Sequence, residues 1–156
     1  MPKNVLVVCT GNICRSPMAK ALLQQALAER GLDGDIVVDS AGTYALVGRP
    51  ASEGSVNAMK ARGLDITDHR AKQITANLVN WADLILVMED HHRRSIFVTW
   101  PKALIKTLLL SELAGDSAGI DDPYGREQWE YDQAADIIEG YIERGMPALL
   151  KRLKVG

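Results

Sequence analysis

A chain of 156 residues is most simply one domain, and it is long enough to bury a substantial apolar core. Hydrophobic residues make up 47% and charged residues 24%, which are ordinary globular values and exclude disordered and collagen-like classes. The formal net charge of −2 gives no overall attraction for nucleic acid or an anionic membrane, and no apolar stretch reaches spanning length. We therefore expect no nucleic-acid partner and no membrane insertion, so that any affinity for an anion is local.

The cysteines and histidines are informative about the cellular compartment and about cofactors. The chain has two cysteines, Cys9 and Cys14, which do not make a disulfide framework and suit a reactive site in a reducing compartment. The apolar run before Cys9 is too short for a signal peptide, so we expect a cytoplasmic location. His69, His91 and His92 have no recognisable ligand spacing to the cysteines, and neither a metal nor another cofactor is expected.

Strand-like and helical segments alternate along the chain. Apolar runs predict strands over residues 4–8, 36–38 and 82–88, with a fourth inside 103–110. Helical patterns cover residues 17–30, 52–62, 89–97 and 127–153, the last of them irregular near Pro147. This alternation favours a parallel sheet between layers of helices. We predict a single-domain α/β fold that spans residues 1–156.

The stretch from Cys9 to Pro17 has the features of an anion-binding loop with a nucleophile. Cys9 ends the first predicted strand, Arg15 follows six residues later, and the first helix is predicted to start between Ser16 and Pro17. Backbone N–H groups in a loop of this length point inward and, with the positive end of the helix, bind anions. Arg15 adds a planar fork of donors that matches two phosphate oxygens. A thiol in this field is expected to act as a thiolate, which makes Cys9 the candidate nucleophile.

Three further residues suit the geometry of this loop. Gly11 allows a positive φ and close backbone approach, and Asn12 is among the few other residues that tolerate the left-handed region. Ser16 has two roles open to it, because its hydroxyl can cap the first helix or donate to the Cys9 sulfur.

A phosphomonoesterase that works through a cysteine also needs an acid. The departing oxygen must be protonated, or a poor leaving group stalls the reaction. The run Asp121-Asp122-Pro123-Tyr124-Gly125 is a loop signal between the fourth strand and the last helix. It is equally a good surface turn, so the residues alone leave open whether either aspartate is the acid.

The run Cys-x-x-x-x-x-Arg-Ser-Pro from Cys9 resembles the signature of the low-molecular-weight protein tyrosine phosphatases, and further matches run almost to the C-terminus. The resemblance implies a four-stranded parallel sheet with helices on both faces and a phosphate-binding loop after strand 1. It implies that Cys9 attacks phosphorus, that Arg15 binds the phosphate, and that Asp122, directly before the proline, acts as acid and then as base. It also implies phosphotyrosine hydrolysis without a metal, inhibited by inorganic phosphate or vanadate.

The same resemblance assigns supporting and substrate-binding residues. Ser40 and His69 are expected to hold Asn12 in a strained conformation. Cys14 is expected to form a reversible disulfide with Cys9, which protects the nucleophile from overoxidation. The residues assigned to substrate binding are Thr10, Gly11, Asn12, Ile13, Cys14, Ser16, Leu46 and Tyr124.

Two departures from the family pattern indicate a bacterial member. The loop after Ser40 lacks the Trp that relatives often carry and leaves Leu46 or Tyr44 in its place, and Tyr124 is followed by Gly125 rather than a second aromatic residue. The resemblance suggests a monomer that acts on a tyrosine-phosphorylated protein, such as a bacterial tyrosine kinase of exopolysaccharide export.

Three alternative functions are open at this point. Protein arginine phosphatases resemble the same loop but have Thr where Ile13 stands, and the bulk of Ile13 is expected to crowd a guanidinium substrate. Arsenate reductases share the loop but relay oxidation through later cysteines, and none follows Cys14. A non-catalytic phosphate-binding module needs neither a nucleophile at Cys9 nor an acid at Asp122.

Overall fold

The computed structural model describes all 156 residues and has one parallel sheet with helices on both faces. The strands are β1 (Lys3–Cys9), β2 (Ile36–Gly42), β3 (Leu84–Val87) and β4 (Thr107–Leu109), in the spatial order β2-β1-β3-β4. The helices are α1 (Arg15–Glu29), α2 (Glu53–Lys60), α3 (Ala76–Trp81), α4 (Asp90–Thr99) and α5 (Gln128–Leu153), with short 3-10 helices at Pro101–Lys106 and Leu110–Ala114. None of these helices is long and apolar enough to cross a membrane. The predicted α/β fold is confirmed.

Alternate side chains of β1 point into two separate cores. Val5 and Val7 belong to the larger apolar cluster, which they share with residues of α1, α2 and α5. Leu6 and Val8 belong to a second cluster, formed with residues of α3 and α4. All four are fully buried, and each contributes on the order of 1.5–3 kcal/mol of hydrophobic stabilisation. The strand therefore has a continuous apolar run, as expected when both faces of a sheet are covered.

Several boundaries differ from the predicted ones. Helix α1 begins at Arg15, before the predicted start, because the loop already ends at Cys14. Strand β2 continues to Gly42 beside the whole of β1, although polar Asp39 and Ser40 interrupt its apolar pattern. Helix α3 has only six residues and was not predicted.

Helix α5 is continuous through the segment predicted to be irregular. Pro147 lies inside the helix, and Gly145, two residues before it, packs closely against a neighbouring element. A Cβ at Gly145 would lie 2.6 Å from the Leu113 Cβ. The glycine therefore allows α5 to approach the 3-10 helix Leu110–Ala114, and it does not mark a break.

The order of the strands places one loop at a favourable position. Strand β1 lies beside β3, and the connections that leave the carboxyl ends of these two neighbours run to opposite sides of the sheet, from β1 to β2 and from β3 to β4. In open parallel sheets, ligands bind in the crevice at this kind of switch point. Residues 10–14, which join β1 to α1, lie there.

Candidate active site

Asn12 braces the loop between β1 and α1. Its φ is 59°, a strained left-handed conformation, and its side chain is fully buried. The side-chain oxygen accepts the Lys72 N–H at 2.9 Å, and Nδ2 donates to Ser40 Oγ at 3.0 Å and to Ser16 Oγ at 2.7 Å. His69 Nε2 donates to the Asn12 carbonyl at 2.6 Å. The structure therefore brings Ser40 and His69 onto Asn12.

This network also fixes the direction of the Ser16 hydroxyl. Ser16 Oγ accepts from Asn12, so its own proton is free to point towards Cys9 Sγ at 2.9 Å. The sulfur therefore receives a hydrogen bond both when it attacks and when it leaves phosphorus. The alternative capping role is not observed, because the N-terminus of α1 has no side-chain cap.

Gly11 does not use the positive φ that a glycine allows. The positive φ in this loop falls on Asn12, and Gly11 is not among the residues with positive φ. A Cβ at Gly11 would make ordinary contacts of 3.7 Å with Ile13 and Leu46. The loop thus obtains its sharp turn from a hydrogen-bonded asparagine.

Arg15 is buried and anchored along one edge of its guanidinium group. Nη1 donates to Glu89 Oε2 at 2.6 Å and to the Ile120 carbonyl at 2.7 Å. Nη2 lies 3.5 Å from both Asp122 Oδ2 and Thr10 Oγ1, and the buried Nε has no partner. A buried donor without an acceptor is unfavourable, so the Nε and Nη2 edge is the open side of a fork suited to two phosphate oxygens.

Glu89 is the counter-ion that the sequence analysis missed. Burial opposes its ionisation, but the hydrogen bond and charge of Arg15 hold the pKa of Glu89 below its usual range. The residue follows β3 at the sheet edge where β1 delivers Cys9. Because the carboxyl ends of parallel strands share one edge, this position was a signal that could have identified it.

Asp122 is the aspartate that shares a pocket with the Cys9 thiol. Its carboxylate is half exposed, lines the same pocket as Cys9, and accepts the Tyr124 N–H at 3.1 Å. Asp121 lines a neighbouring groove and is absent from this pocket. Of the two candidate acids, the structure therefore places Asp122 over the site.

The pocket above Cys9 has an apolar wall and an open mouth. Both residues left open by the sequence, Tyr44 and Leu46, line it together with Tyr124. Tyr44 is 78% exposed and Tyr124 is 54% exposed, so two phenol rings stand at the rim. The lining residues from the loop are Cys9, Thr10, Gly11, Ile13, Cys14 and Arg15. Asn12 and Ser16 were also assigned to substrate binding, but they are fully buried behind this wall.

Cys14 differs chemically from the nucleophile. Both cysteines are free thiols, and Cys14 Sγ lies 3.2 Å from Ser52 Oγ and 4.0 Å from the Tyr131 hydroxyl. Burial raises the pKa of the Cys14 thiol to about 11, although the Ser52 hydrogen bond opposes the rise. Cys14 is therefore protonated at neutral pH, and a disulfide with Cys9 stays a prediction.

Glu89, His91 and His92 form a group whose potential ligand atoms lie within 4.8 Å of one another. Glu89 Oε2 already accepts from Arg15 and lies 3.0 Å from His91 Nε2. His92 Nδ1 accepts the Glu89 N–H at 3.0 Å, and its Nε2 lies 2.8 Å from Thr10 Oγ1. A cation here would displace the ion pair of Arg15, so we assign no metal to this group.

Acidification is expected to weaken the fold through His92. Burial, and then the Arg15 charge, lower the pKa of His92 from 6.5 to about 3. The unfolded chain binds the proton more readily, so the stability contributed by His92 is complete above pH 6.5 and is lost as the pH falls towards 3. We expect this residue to lower the free energy of unfolding by about 1.4 kcal/mol between pH 7.5 and pH 5.5.

Urea unfolding at these two pH values measures the effect. His92→Asn should remove this share of the pH dependence, whereas His91→Asn, at the exposed neighbouring histidine, should keep it. An unchanged pH dependence in His92→Asn would contradict the assignment.

Comparisons with known proteins agree with this geometry. The family model for low molecular weight phosphotyrosine protein phosphatase matches residues 4–155. A probable low molecular weight protein-tyrosine-phosphatase EpsP from Ralstonia solanacearum is 43% identical over 149 residues, which are 96% of this chain and 97% of that protein.

Two further matches are a relative with a different name and a solved structure. A protein-arginine-phosphatase from Geobacillus stearothermophilus is 37% identical over 145 residues, 92% of this chain and 94% of its own. The crystal structure of a low molecular weight protein tyrosine phosphatase from T. tengcongensis superposes with a TM-score of 0.88 at 36% identity, and covers 94% of this chain and 99% of its own. The chain therefore belongs to the low-molecular-weight protein tyrosine phosphatases, a family of phosphoric monoester hydrolases, and is of the bacterial type.

Proposed function

We propose that this phosphatase hydrolyses phosphotyrosine in proteins through a cysteinyl-phosphate intermediate. The observation that carries the proposal is the open edge of Arg15, which lies in one pocket with Cys9 and Asp122. A nucleophile, a two-point phosphate receptor and an acid then face the same small volume. Thr10, Ile13, Leu46 and Tyr124 supply its walls.

In the first step, Cys9 Sγ attacks phosphorus as the bond from phosphorus to the tyrosine oxygen breaks. Arg15 Nε and Nη2 donate to two oxygens of the phosphoryl group, and loop N–H groups at the start of α1 donate to the others. Protonated Asp122 gives its proton to the departing oxygen, so tyrosine leaves as a neutral phenol. Glu89 and Ile120 hold Arg15 in place, which lowers the reorganisation needed during the reaction.

In the second step, water attacks the phosphorus of the cysteinyl phosphate. The Asp122 carboxylate accepts a proton from that water, the bond from sulfur to phosphorus breaks, and inorganic phosphate is released. The Cys9 thiolate returns to the hydrogen bond from Ser16. Inorganic phosphate and vanadate occupy the same receptor and are proposed as inhibitors.

The proposed partner is a tyrosine-phosphorylated protein. The exposed rings of Tyr44 and Tyr124 can pack against a substrate aryl group, and the apolar Leu46 extends this contact. A bacterial tyrosine kinase of exopolysaccharide export is the specific partner that the family resemblance suggests. We propose action as a monomer in the cytoplasm, because one chain supplies the whole site and free thiols suit a reducing compartment.

Phosphoarginine is the second candidate substrate, and the similarity to a protein-arginine-phosphatase is the observation in its favour. Ile13 argues against it. This side chain is buried and lines the pocket wall, where a branched apolar group leaves the polar guanidinium without a hydrogen-bond acceptor. Specificity should therefore depend on this position.

Ile13→Thr is expected to shift the substrate preference towards phosphoarginine. The substitution removes bulk and adds a hydroxyl acceptor, so we expect the ratio of kcat/KM for phosphoarginine to kcat/KM for phosphotyrosine to rise about tenfold or more. Ile13→Val is the matched control, because it reduces the volume without adding a polar group. An equal change of the ratio in both variants would show that polarity at this wall has no role.

One preparation tested on three substrates distinguishes the candidate functions. We expect release of phosphate from a phosphotyrosine peptide, inhibited by vanadate and unaffected by a metal chelator, with slow turnover of phosphoarginine and no thiol-coupled reduction of arsenate. Faster turnover of phosphoarginine would overturn the tyrosine assignment, and loss of activity restored by a metal would overturn the mechanism.

A further inference from the structure

The side chain of His92 connects α4 to the phosphate-binding loop. It is fully buried, and its Nδ1 accepts the N–H of Glu89, the residue that precedes α4. A nitrogen that accepts cannot carry the proton of a neutral imidazole, so the proton is on Nε2. Burial and the Arg15 charge lower the pKa of His92 to about 3, which keeps the ring neutral in the working pH range.

This tautomer decides the direction of the next hydrogen bond. Nε2–H of His92 donates to Thr10 Oγ1 at 2.8 Å, and Arg15 Nη2 approaches the same oxygen at 3.5 Å. Thr10 Oγ1 therefore faces two donors, and its own proton has to point elsewhere. No protein acceptor lies within hydrogen-bond distance of that hydroxyl, and Thr10 lines the pocket together with Cys9.

We infer that His92 is a positioning residue, which turns the Thr10 hydroxyl into a hydrogen-bond donor for an oxygen of the bound phosphoryl group. The inference rests on the proposed phosphatase function and adds a side-chain donor to the receptor formed by Arg15 and the loop N–H groups. A donor to a charged oxygen is worth roughly tenfold or more in affinity when it is oriented in advance.

A purely structural role of His92 predicts a different result. In that case the ring would only cap α4 through Nδ1, and the contact with Thr10 would be incidental. Two substitutions separate the two hydrogen bonds. The Asn oxygen in His92→Asn can still accept the Glu89 N–H but cannot reach Thr10, whereas the longer Gln in His92→Gln can bring an amide N–H to the former Nε2 position.

The experiment is a double-mutant cycle between His92→Asn and Thr10→Val, with kcat/KM for p-nitrophenyl phosphate and the inhibition constant of vanadate as readouts. In each single variant, kcat/KM is expected to fall about tenfold and the inhibition constant of vanadate to rise about tenfold. The double variant is expected to change by no more than either single variant. Thr10→Ser and His92→Gln should recover most of the loss, because they restore the donor. Tm is measured for every variant.

Additive losses in the cycle would overturn the inference, as would Thr10→Val within twofold of the wild-type protein. Thr10→Val keeps the side-chain shape, so this arm stays informative even if the His92 variants unfold. p-Nitrophenyl phosphate and vanadate probe the phosphoryl receptor alone. If the protein hydrolyses this ester but not phosphotyrosine, the proposed function is wrong, and the test of His92 and Thr10 still applies.

Discussion

Cys9→Ser is expected to reduce kcat for p-nitrophenyl phosphate by about ten-thousandfold or more. A serine hydroxyl stays protonated at neutral pH and needs a base to become a nucleophile. The one side-chain partner of Cys9 Sγ is the Ser16 hydroxyl, which donates and cannot accept that proton. Inorganic phosphate should bind the variant about as well as the wild-type protein, since Arg15 and the loop are unchanged.

Cys14→Ser is the matched control, because it makes the same change five residues away in the same loop. The Cys14 thiol is protonated and hydrogen-bonded to Ser52, so we expect less than a tenfold loss of kcat. Steady-state kinetics and calorimetric titration with phosphate measure both variants. A wild-type kcat in Cys9→Ser, or an equally large loss of kcat in both variants, would contradict the assignment of Cys9 as the nucleophile.

The sequence was most informative where one short segment contains the whole feature. The phosphate-binding loop is such a segment, because its strand end, its left-handed Asn12 and its helix start are adjacent in the chain. The parallel sheet was also predictable, because strands buried on both faces have continuous apolar runs. Asp122 needed the family resemblance, since the same residues also make a good surface turn.

What could not be predicted depends on contacts between distant segments. Glu89 anchors Arg15 from 74 residues away, and His92 reaches Thr10 from 82 residues away, through a packing that no local motif specifies. His92 was considered from the sequence only as a metal ligand, and nothing in the local pattern points to a contact with Thr10. Helix α3 was not predicted for another reason, because six residues are too few to establish a helical period.

The leaving-group dependence of catalysis provides the sharpest test of Asp122. Asp122→Asn should lower kcat about a hundredfold or more for phosphotyrosine, whose phenol needs a proton to depart, because a positioned acid contributes roughly 10²–10⁴-fold. For p-nitrophenyl phosphate the loss should be much smaller, since p-nitrophenolate leaves without protonation. The substitution keeps the shape of the side chain and its acceptor for the Tyr124 N–H, so the loop should hold its conformation.

Asp121→Asn provides the comparison within the same loop. Asp121 faces the neighbouring groove and makes no contact with Arg15, so its replacement should change neither substrate by more than about twofold. Single-turnover and steady-state rates on both substrates separate phosphoryl transfer to Cys9 from hydrolysis of the intermediate. If Asp122→Asn slows the two substrates equally, the carboxylate acts by positioning Arg15 and not as the acid. A larger selective loss in Asp121→Asn would transfer the acid role to that residue, because loss of the proton donor makes the rate depend more strongly on the basicity of the leaving group.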